Sequence, residues 1–294
     1  MSKVRLILTP EYLTIFRSHY LEYIWNEYFI IEEDTGQNAD KNTIFIGPDW
    51  FSDWAKKHKQ DGKKLAFDSS WEFWSVENEY NIKSANWFWY NESLWYQSLG
   101  YNNYIPNCEF EYLAFMPMRS QQSSYELESE ELLDKLGSRI DKFLWSYKEK
   151  SLPNDLEITD NNYQRFFNPK WYNSTKFSLV YETSRNYLHV TEKTFKPMAF
   201  NHPFLIWGPA GTLSFLKQNK FETFDEIFDE TYDLENCKVK RLEKIISNID
   251  NFFERTKTTE EKIIYNRHRF YDTKLIEKNI VNEIVIPLLE YAET

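Results

Sequence analysis

The sequence predicts an α/β protein built on parallel sheets. Two sets of short apolar segments alternate with helical stretches, and a polar segment at residues 151–162 separates the two sets. Short buried strands that alternate with helices are typical of parallel sheets, because each helix returns the chain to the start of the next strand. We therefore expect an N-terminal domain over residues 1–155 and a C-terminal domain over residues 156–294. A chain of 294 residues that is 41% hydrophobic is long enough for two cores.

The N-terminal set contains four predicted strands, each a short apolar run. They cover residues 4–9, 42–47, 63–68 and 112–117. Apolar residues at helical spacing predict one helix over residues 10–28 and another over residues 129–150. Ser129, with two glutamates directly after it, is a suitable start for the second of these helices.

The C-terminal set contains two strongly apolar strands, "KFSLVYE" at residues 176–182 and "HPFLIWG" at residues 202–208. A polar turn and a short helix are expected between them. Three further helices follow in the pattern, at residues 212–219, 235–256 and 259–290.

Composition narrows the class of protein. The formal net charge of −11 disfavours general binding of nucleic acid, although a local basic cleft remains compatible with it. Cys108 and Cys237 share no motif, which indicates two thiols in a reducing compartment. No apolar run approaches the ~20 residues of a membrane span, and the N-terminus turns polar at Thr9, so we expect a cytosolic protein without a signal peptide or membrane contact.

Several catalytic signatures are absent from the sequence. It has no dinucleotide or Walker glycine motif, no G-x-S-x-G and no H-E-x-x-H. Its five histidines and two cysteines lack metal-ligand spacing, and no two aspartates are spaced Asp-x-Asp. We therefore expect neither a metal nor a resident cofactor.

The polar segment between the two C-terminal strands carries the strongest functional signal. Ligands of open parallel sheets lie beyond the carboxyl ends of the strands, and Glu182 ends the first strand. Thr191 is a suitable helix cap that places Glu192 and Lys193 in the first helical turn. A helix start attracts phosphate, and a carboxylate can accept two hydrogen bonds from a ribose diol. A carboxylate and an ammonium at a helix start therefore suit a nucleotide diphosphate sugar as the ligand. The alternative is that these residues form an ordinary helix start without a ligand.

These motifs resemble a known family. "FSLVYETS", "VTEKTF" and "HPFLIWG", in this order between Phe177 and Gly208, are similar to the donor-binding segment of the α1,3-fucosyltransferases. That family has Glu-Asn-Ser where this chain has Glu182, Thr183 and Ser184, so fucose is not assumed as the sugar. A wider likeness, in "FWYNESLWYQSLGY" and "FFNPKWYNSTKFSLV", is to glycosyltransferases of large tailed phages, some of which modify hydroxymethylated bases in phage DNA.

The resemblance implies roles for individual residues. Thr191 would cap the helix, Glu192 would hold the ribose and Lys193 would bind the diphosphate. Arg185 or Lys196 would assist in binding the phosphates. Further residues would shape the pocket floor or present backbone amides to an anion. These are Tyr181 and Glu182 at the floor, and Gly208 and Gly211 in the loop before the next helix.

The resemblance also implies a fold and a mechanism. The fold is of the GT-B type, with two Rossmann-like domains, a donor cleft between them and a terminal helix that crosses back to the first domain. Such enzymes neutralise the leaving diphosphate with fixed positive groups instead of a metal. Inverting transfer needs a general base, which we expect at a strand end of the N-terminal half. Asp68 is our first choice, Glu72 the second and Asp49 the third.

The leading hypothesis is thus a metal-independent glycosyltransferase that uses a nucleotide sugar. Its favoured acceptor is a hydroxymethylated base in phage DNA, which would place the enzyme in the host cytoplasm. Alternatives are transfer to a surface glycan, a non-catalytic nucleotide- or sugar-binding module, and a structural protein whose aromatic residues serve packing. For a DNA acceptor, the densest basic cluster is the expected contact. It consists of Lys56, Lys57, Lys59, Lys63 and Lys64.

Overall fold

The chain forms two compact units. The first unit combines Met1–Ser98 with Asp272–Thr294, and the second is Leu99–Tyr271. The computed structural model describes most of both units. The described residues are 3–9, 22–36, 40–47, 53–67, 80–81, 86–118, 123–148, 152, 168–182, 188–252 and 256–294.

Parallel strands form the sheet of the first unit. In chain order the described strands are β1 (Val4–Leu8), β2 (Phe29–Glu33), β3 (Thr43–Gly47), β4 (Lys64–Phe67) and β5 (Tyr80–Asn81). They lie side by side in the order β2-β1-β3-β4-β5, and all four pairings are parallel. The apolar side chains that the structure describes on the interior strands β1, β3 and β4 are buried, as expected for a parallel sheet with helices on its faces.

Three described helices connect these strands or follow them. They are α1 (Glu22–Tyr28), α2 (Asp53–Gln60) and α3 (Trp87–Ser98). The helix predicted from the sequence through residue 28 was correct at its end, but β2 was missed. This strand begins at the very next residue, and no glycine or proline marks the change from helix to strand. Most residues of α3 are buried, which explains why its sequence is aromatic on several faces.

The second unit contains a four-stranded sheet, and the candidate site begins at the end of one of its strands. Its described strands are β6 (Tyr112–Pro117), β7 (Phe143–Ser146), β8 (Thr175–Tyr181) and β9 (Phe204–Trp207), in the order β7-β6-β8-β9. All three pairings are parallel. The prediction of an α/β fold with two parallel sheets is therefore confirmed.

Helices and short 3-10 turns precede, connect or follow the strands of the second unit. The α-helices are α4 (Ser123–Leu136), α5 (Pro169–Asn173), α6 (Glu192–Ala199), α7 (Thr212–Gln218), α8 (Lys238–Asp250) and α9 (Lys257–Phe270). The 3-10 turns are Tyr101–Asn103, Gly137–Lys142 and Glu230–Leu234.

The helix expected over residues 129–150 is corrected by the structure. It ends at Leu136, because Gly137 adopts a positive φ of 52° that a continuing helix does not allow. A 3-10 turn follows, and then β7 pairs with β6. The prediction had placed the residues of β7 inside that helix.

The C-terminal segment belongs to the first unit. It contains α10 (Thr273–Ile280), a π-helical turn (Val281–Val285) and α11 (Ile286–Glu293). The Tyr291 hydroxyl donates a 2.9 Å hydrogen bond to the carbonyl of Leu65 in β4.

The compact units do not divide where the polar segment predicted a boundary. Residue 155 falls inside the second unit, because β6 and β7 precede it and β8 follows it in one sheet. β6 pairs directly with β8, so a cut at residue 155 would separate hydrogen-bonded neighbours.

Candidate functional site

The site begins where β8 ends. The Glu182 backbone N–H donates a 3.0 Å hydrogen bond to the Trp207 carbonyl, which extends the pairing of β8 with β9 by one residue. Gly208 lies against this point, and a Cβ at residue 208 would lie 3.3 Å from the Glu182 Cβ. The absence of a side chain at Gly208 therefore lets the two strand ends approach closely.

The Glu182 carboxylate points into the protein, towards the start of α6. Its Oε1 accepts from the Thr191 N–H at 3.0 Å and from the Thr194 hydroxyl at 2.6 Å. Its Oε2 accepts from the Thr191 hydroxyl at 2.7 Å. The side chain is 0% exposed. Glu182 was expected at the floor of a pocket, but in the structure both its oxygens bond to the protein.

Thr191 caps α6, as its sequence context predicted. Its hydroxyl accepts from the Lys193 N–H at 3.4 Å, a long capping bond. The Thr194 N–H donates to the Thr191 carbonyl at 3.2 Å, and the Glu192 N–H donates to the carboxylate of Glu192 itself. The amides of the first turn thus already have partners, so an anion at this helix start would depend on side-chain cations instead.

Glu192 and Lys193 form an ion pair at the surface of this turn. The Lys193 Nζ lies 3.0 Å from Glu192 Oε1, and 3.3 Å from the Thr191 hydroxyl. The Glu192 side chain is 14% exposed and that of Lys193 is 30% exposed. Burial alone would raise the pKa of Glu192, but the charges of Lys193 and Lys196 outweigh burial and lower that pKa to about 2.

Lys196 and Pro197 lie in the next turn of α6. Lys196 follows Glu192 by four residues, the spacing at which a glutamate and a later lysine attract each other on a helix. Pro197 lacks the N–H that would bond the Lys193 carbonyl. The helix continues for two residues beyond it and ends at Ala199, and the Pro197 carbonyl then accepts from His202 N–H at 3.0 Å.

Backbone N–H groups in the loop between β9 and α7, and at the start of α7, already bond to another part of the chain. Gly211 has a φ of 87°, and its N–H donates to the Asp233 carbonyl at 2.9 Å. The Asp233 carboxylate accepts from the N–H groups of Leu213 at 2.9 Å and Ser214 at 3.1 Å. The loop amides, at Gly208 and Gly211, were expected to face an anion, but the Gly211 N–H and the amides at the start of α7 already bond to a buried aspartate of the chain.

The remaining predicted residues divide into two groups. Tyr181 is buried, and its hydroxyl lies 2.7 Å from the Ser129 hydroxyl of α4. Asp68, Glu72, Asp49 and Arg185 lie outside the described residues.

Two contributors were missed in the sequence. Thr194, which bonds Glu182, stands three residues after Thr191, and that repeat of threonines was the available signal. Asp233 lies far along the chain from the loop it caps and shows no local motif.

The described residues contain no cluster of three or more metal-ligating side chains. Within that same part of the chain, no helix has both the length and the apolar character needed to cross a bilayer.

Comparison with known proteins identifies the fold. No protein-family model and no curated protein matches the chain. A crystal structure of an α1,3-fucosyltransferase matches with a TM-score of 0.57 at 12% identity, over 99% of this chain and 92% of that chain. Two more α1,3-fucosyltransferase structures match over at least nine-tenths of both chains. The one with GDP-fucose has a TM-score of 0.51 at 13% identity over 98% and 90% of the chains, and the one with GDP has 0.54 at 12% over 99% and 93%. The chain therefore has the GT-B fold of these fucosyltransferases.

Proposed function

We propose that this chain is a metal-independent glycosyltransferase that moves a sugar from a nucleotide diphosphate sugar to an acceptor hydroxyl, with inversion. The observation that carries the proposal is the pair of Glu192 and Lys193, 3.0 Å apart at the carboxyl edge of the second unit's sheet. Ligands of parallel α/β sheets bind at that edge. The fold shared with the fucosyltransferases supports the same reading.

The charges of the site fit a nucleotide diphosphate. Glu192, which stays ionised far below neutral pH, accepts hydrogen bonds from the two ribose hydroxyls. The ammonium of Lys193 binds the diphosphate, and Lys196 adds a second positive charge one turn further along α6. Because the first-turn amides are already bonded, these lysines supply the attraction for the phosphates.

The proposed reaction is a single displacement. The acceptor oxygen forms a bond to the anomeric carbon while the bond from that carbon to the diphosphate oxygen breaks. The electron pair of the broken bond stays on the nucleoside diphosphate, where Lys193 stabilises the added charge. The acceptor proton passes to a carboxylate of the chain, for which Asp68 and then Glu72 are the candidates.

For the nucleotide, we propose guanine as the first base to test. Two of the solved structures that share the fold contain GDP-fucose or GDP. Thr183 replaces the asparagine of the fucosyltransferase motif, so other GDP-sugars belong in the same screen.

For the acceptor, we propose a hydroxymethylated base in DNA, on the basis of the resemblance to the phage enzymes. Lys56, Lys57 and Lys59 are exposed on α2 and support a phosphate contact there. The other two lysines of the basic cluster make contacts within the first unit. The Lys63 Nζ lies 4.4 Å from the centre of the Phe45 ring, and the Lys64 Nζ donates a hydrogen bond to the Ala292 carbonyl. A surface glycan remains the alternative acceptor.

A donor screen tests the activity. Release of nucleoside diphosphate is measured for a set of nucleotide sugars, with and without hydroxymethylated DNA. Release that depends on the DNA supports the whole proposal, and release that needs a glycan corrects the acceptor. Nucleotide binding without release from any acceptor would identify a non-catalytic module. A chain that binds no nucleotide diphosphate would overturn the proposed function.

A charge-reversal experiment tests the DNA contact. Replacement of Lys57 and Lys59 by glutamate should weaken DNA binding and reduce its salt dependence. The matched control reverses Lys274 and Lys278, which are also exposed and belong to the same unit. Equal loss in both variants would show a general charge effect and remove α2 as the contact.

A further inference from the structure

We infer that Glu182 is a positioning residue, which holds Thr191, Glu192 and Lys193 in the geometry that binds the nucleotide without touching the nucleotide itself. The inference rests on the proposed function of that segment. Glu182 is 0% exposed, and three hydrogen bonds occupy its two oxygens. A ligand would have to break those bonds before it reached the carboxylate.

The direction of each hydrogen bond is fixed by chemistry. The Thr191 N–H can only donate, so Glu182 Oε1 accepts from it. The Thr191 hydroxyl accepts from the Lys193 N–H, at 3.4 Å, and its single hydrogen therefore points to Glu182 Oε2. The Lys193 Nζ also lies 3.3 Å from the same hydroxyl. A chain of contacts thus runs from Glu182 through Thr191 to both ends of Lys193.

A second contact prevents the segment from rotating about Thr191. The Thr194 hydroxyl donates to Glu182 Oε1 at 2.6 Å, one residue beyond Lys193. Glu182 therefore holds the chain on both sides of Glu192 and Lys193. Its own backbone is fixed by the hydrogen bond to Trp207, so the sheet determines where the two charged groups lie.

An amide cannot replace this carboxylate. In Glu182→Gln one oxygen becomes an NH2 group, which can only donate, whereas all three partners of this carboxylate donate to it. With the NH2 in place of Oε2, the Thr191 hydroxyl loses the acceptor for its hydrogen, and its contacts with Lys193 change. With the NH2 in place of Oε1, the Thr191 N–H and the Thr194 hydroxyl lose theirs. Thr194→Val removes the second contact while it keeps the shape of the side chain, and Thr194→Ser keeps the hydroxyl.

The test combines ligand-free and ligand-bound measurements on the full chain. Hydrogen exchange, followed by mass spectrometry, compares peptides over residues 188–196 with peptides over residues 204–218. GDP and UDP binding is measured by calorimetry. Glu182→Gln and Thr194→Val should speed exchange in the first region only and weaken binding of the nucleotide about tenfold, while Thr194→Ser matches the wild type.

A double-mutant cycle separates positioning from direct contact. If Glu182 acts only through the charged pair, Glu182→Gln should cause no further loss of GDP affinity in a chain that already carries Glu192→Gln and Lys193→Ala. A full additional loss would overturn the inference, as would wild-type exchange and affinity in Glu182→Gln and Thr194→Val. If the wild type binds neither GDP nor UDP nor any other nucleoside diphosphate of the donor screen, the proposed function fails, and the exchange measurements alone decide whether Glu182 holds the segment.

Discussion

The ammonium of Lys193 lies 3.0 Å from the carboxylate of Glu192, its neighbour in the chain, at the first turn of α6. Adjacent residues of a helix do not normally face each other. They meet here because Lys193 folds back towards the helix start, where its Nζ also contacts the Thr191 hydroxyl at 3.3 Å. A positive and a negative group are therefore presented side by side at a partly exposed surface.

Glu192→Gln should weaken nucleotide binding while the fold persists. The substitution removes a charged acceptor for the ribose hydroxyls, and hydrogen bonds to charged groups contribute roughly 1.5–3 kcal/mol. The donor KM or the Kd for the nucleoside diphosphate should therefore rise about 10- to 100-fold. Calorimetry measures the affinity, and circular dichroism checks the fold. Wild-type affinity in a folded variant would remove Glu192 from the binding site.

The same carboxylate should make stability depend on pH. The pKa of Glu192 is lowered from 4.5 to about 2 in the folded chain, chiefly because Lys193 and Lys196 outweigh the opposing effect of burial. A lowered folded pKa stabilises the protein above the unfolded pKa of 4.5, and this contribution is lost as the pH falls through about 2.

Between about pH 6 and about pH 4, the wild type should therefore lose about 1 kcal/mol more unfolding free energy than Glu192→Gln. Urea unfolding at the two pH values measures the difference, and all other titrating groups cancel in the comparison. Parallel pH profiles for the two proteins would show that the lysines do not stabilise the ionised form of Glu192.

Lys193→Ala should affect the chemical step as well as binding. The diphosphate gains charge as the sugar departs, so an ammonium beside it stabilises the transition state more than the ground state. We expect kcat to fall together with donor affinity, in contrast to Glu192→Gln, whose main effect is on KM. Lys193→Arg is the matched control, because it keeps the charge and should retain part of kcat. Equal kcat in Lys193→Ala and the wild type would limit Lys193 to binding.

Much of the fold was predictable because the buried parallel strands are continuous apolar runs. β1, β3, β4, β6 and β9 lie within a residue or two of their predicted positions. β2 was missed because it directly follows a helix, and β7 was missed because it lies within a segment that was predicted as one helix. The pairing partner that stabilises such a short strand is remote in sequence, so local periodicity does not reveal it.

The site was predictable only where its signals are local. The cap at Thr191 and the charged pair after it follow from the order of residues at a helix start. The direction of the Glu182 side chain does not, because it depends on hydrogen bonds to Thr191 and Thr194 across a loop. The partner of the α7 amides, Asp233, is likewise determined by tertiary packing.

Chelation should leave activity unchanged. If Lys193 and Lys196 neutralise the leaving diphosphate, the reaction requires no divalent ion. Nucleoside diphosphate release is compared before and after incubation with EDTA, and then with added manganese. Activity that disappears on chelation and returns with manganese would contradict the metal-independent mechanism.

Asp233→Asn should lower stability without a change in nucleotide affinity. The Asp233 carboxylate accepts from the amides of Leu213 and Ser214 at 2.9 and 3.1 Å, and an amide side chain would turn one donor towards another donor. Loss of such a helix cap costs about 1–2 kcal/mol of unfolding free energy. Asp229→Asn is the matched control, because Asp229 is exposed and asparagine caps as well as aspartate. Urea unfolding and GDP calorimetry on both variants measure the two effects. If Asp233→Asn changed GDP affinity about tenfold while its stability matched the control, the loop of Gly208 and Gly211 would contact the nucleotide after all.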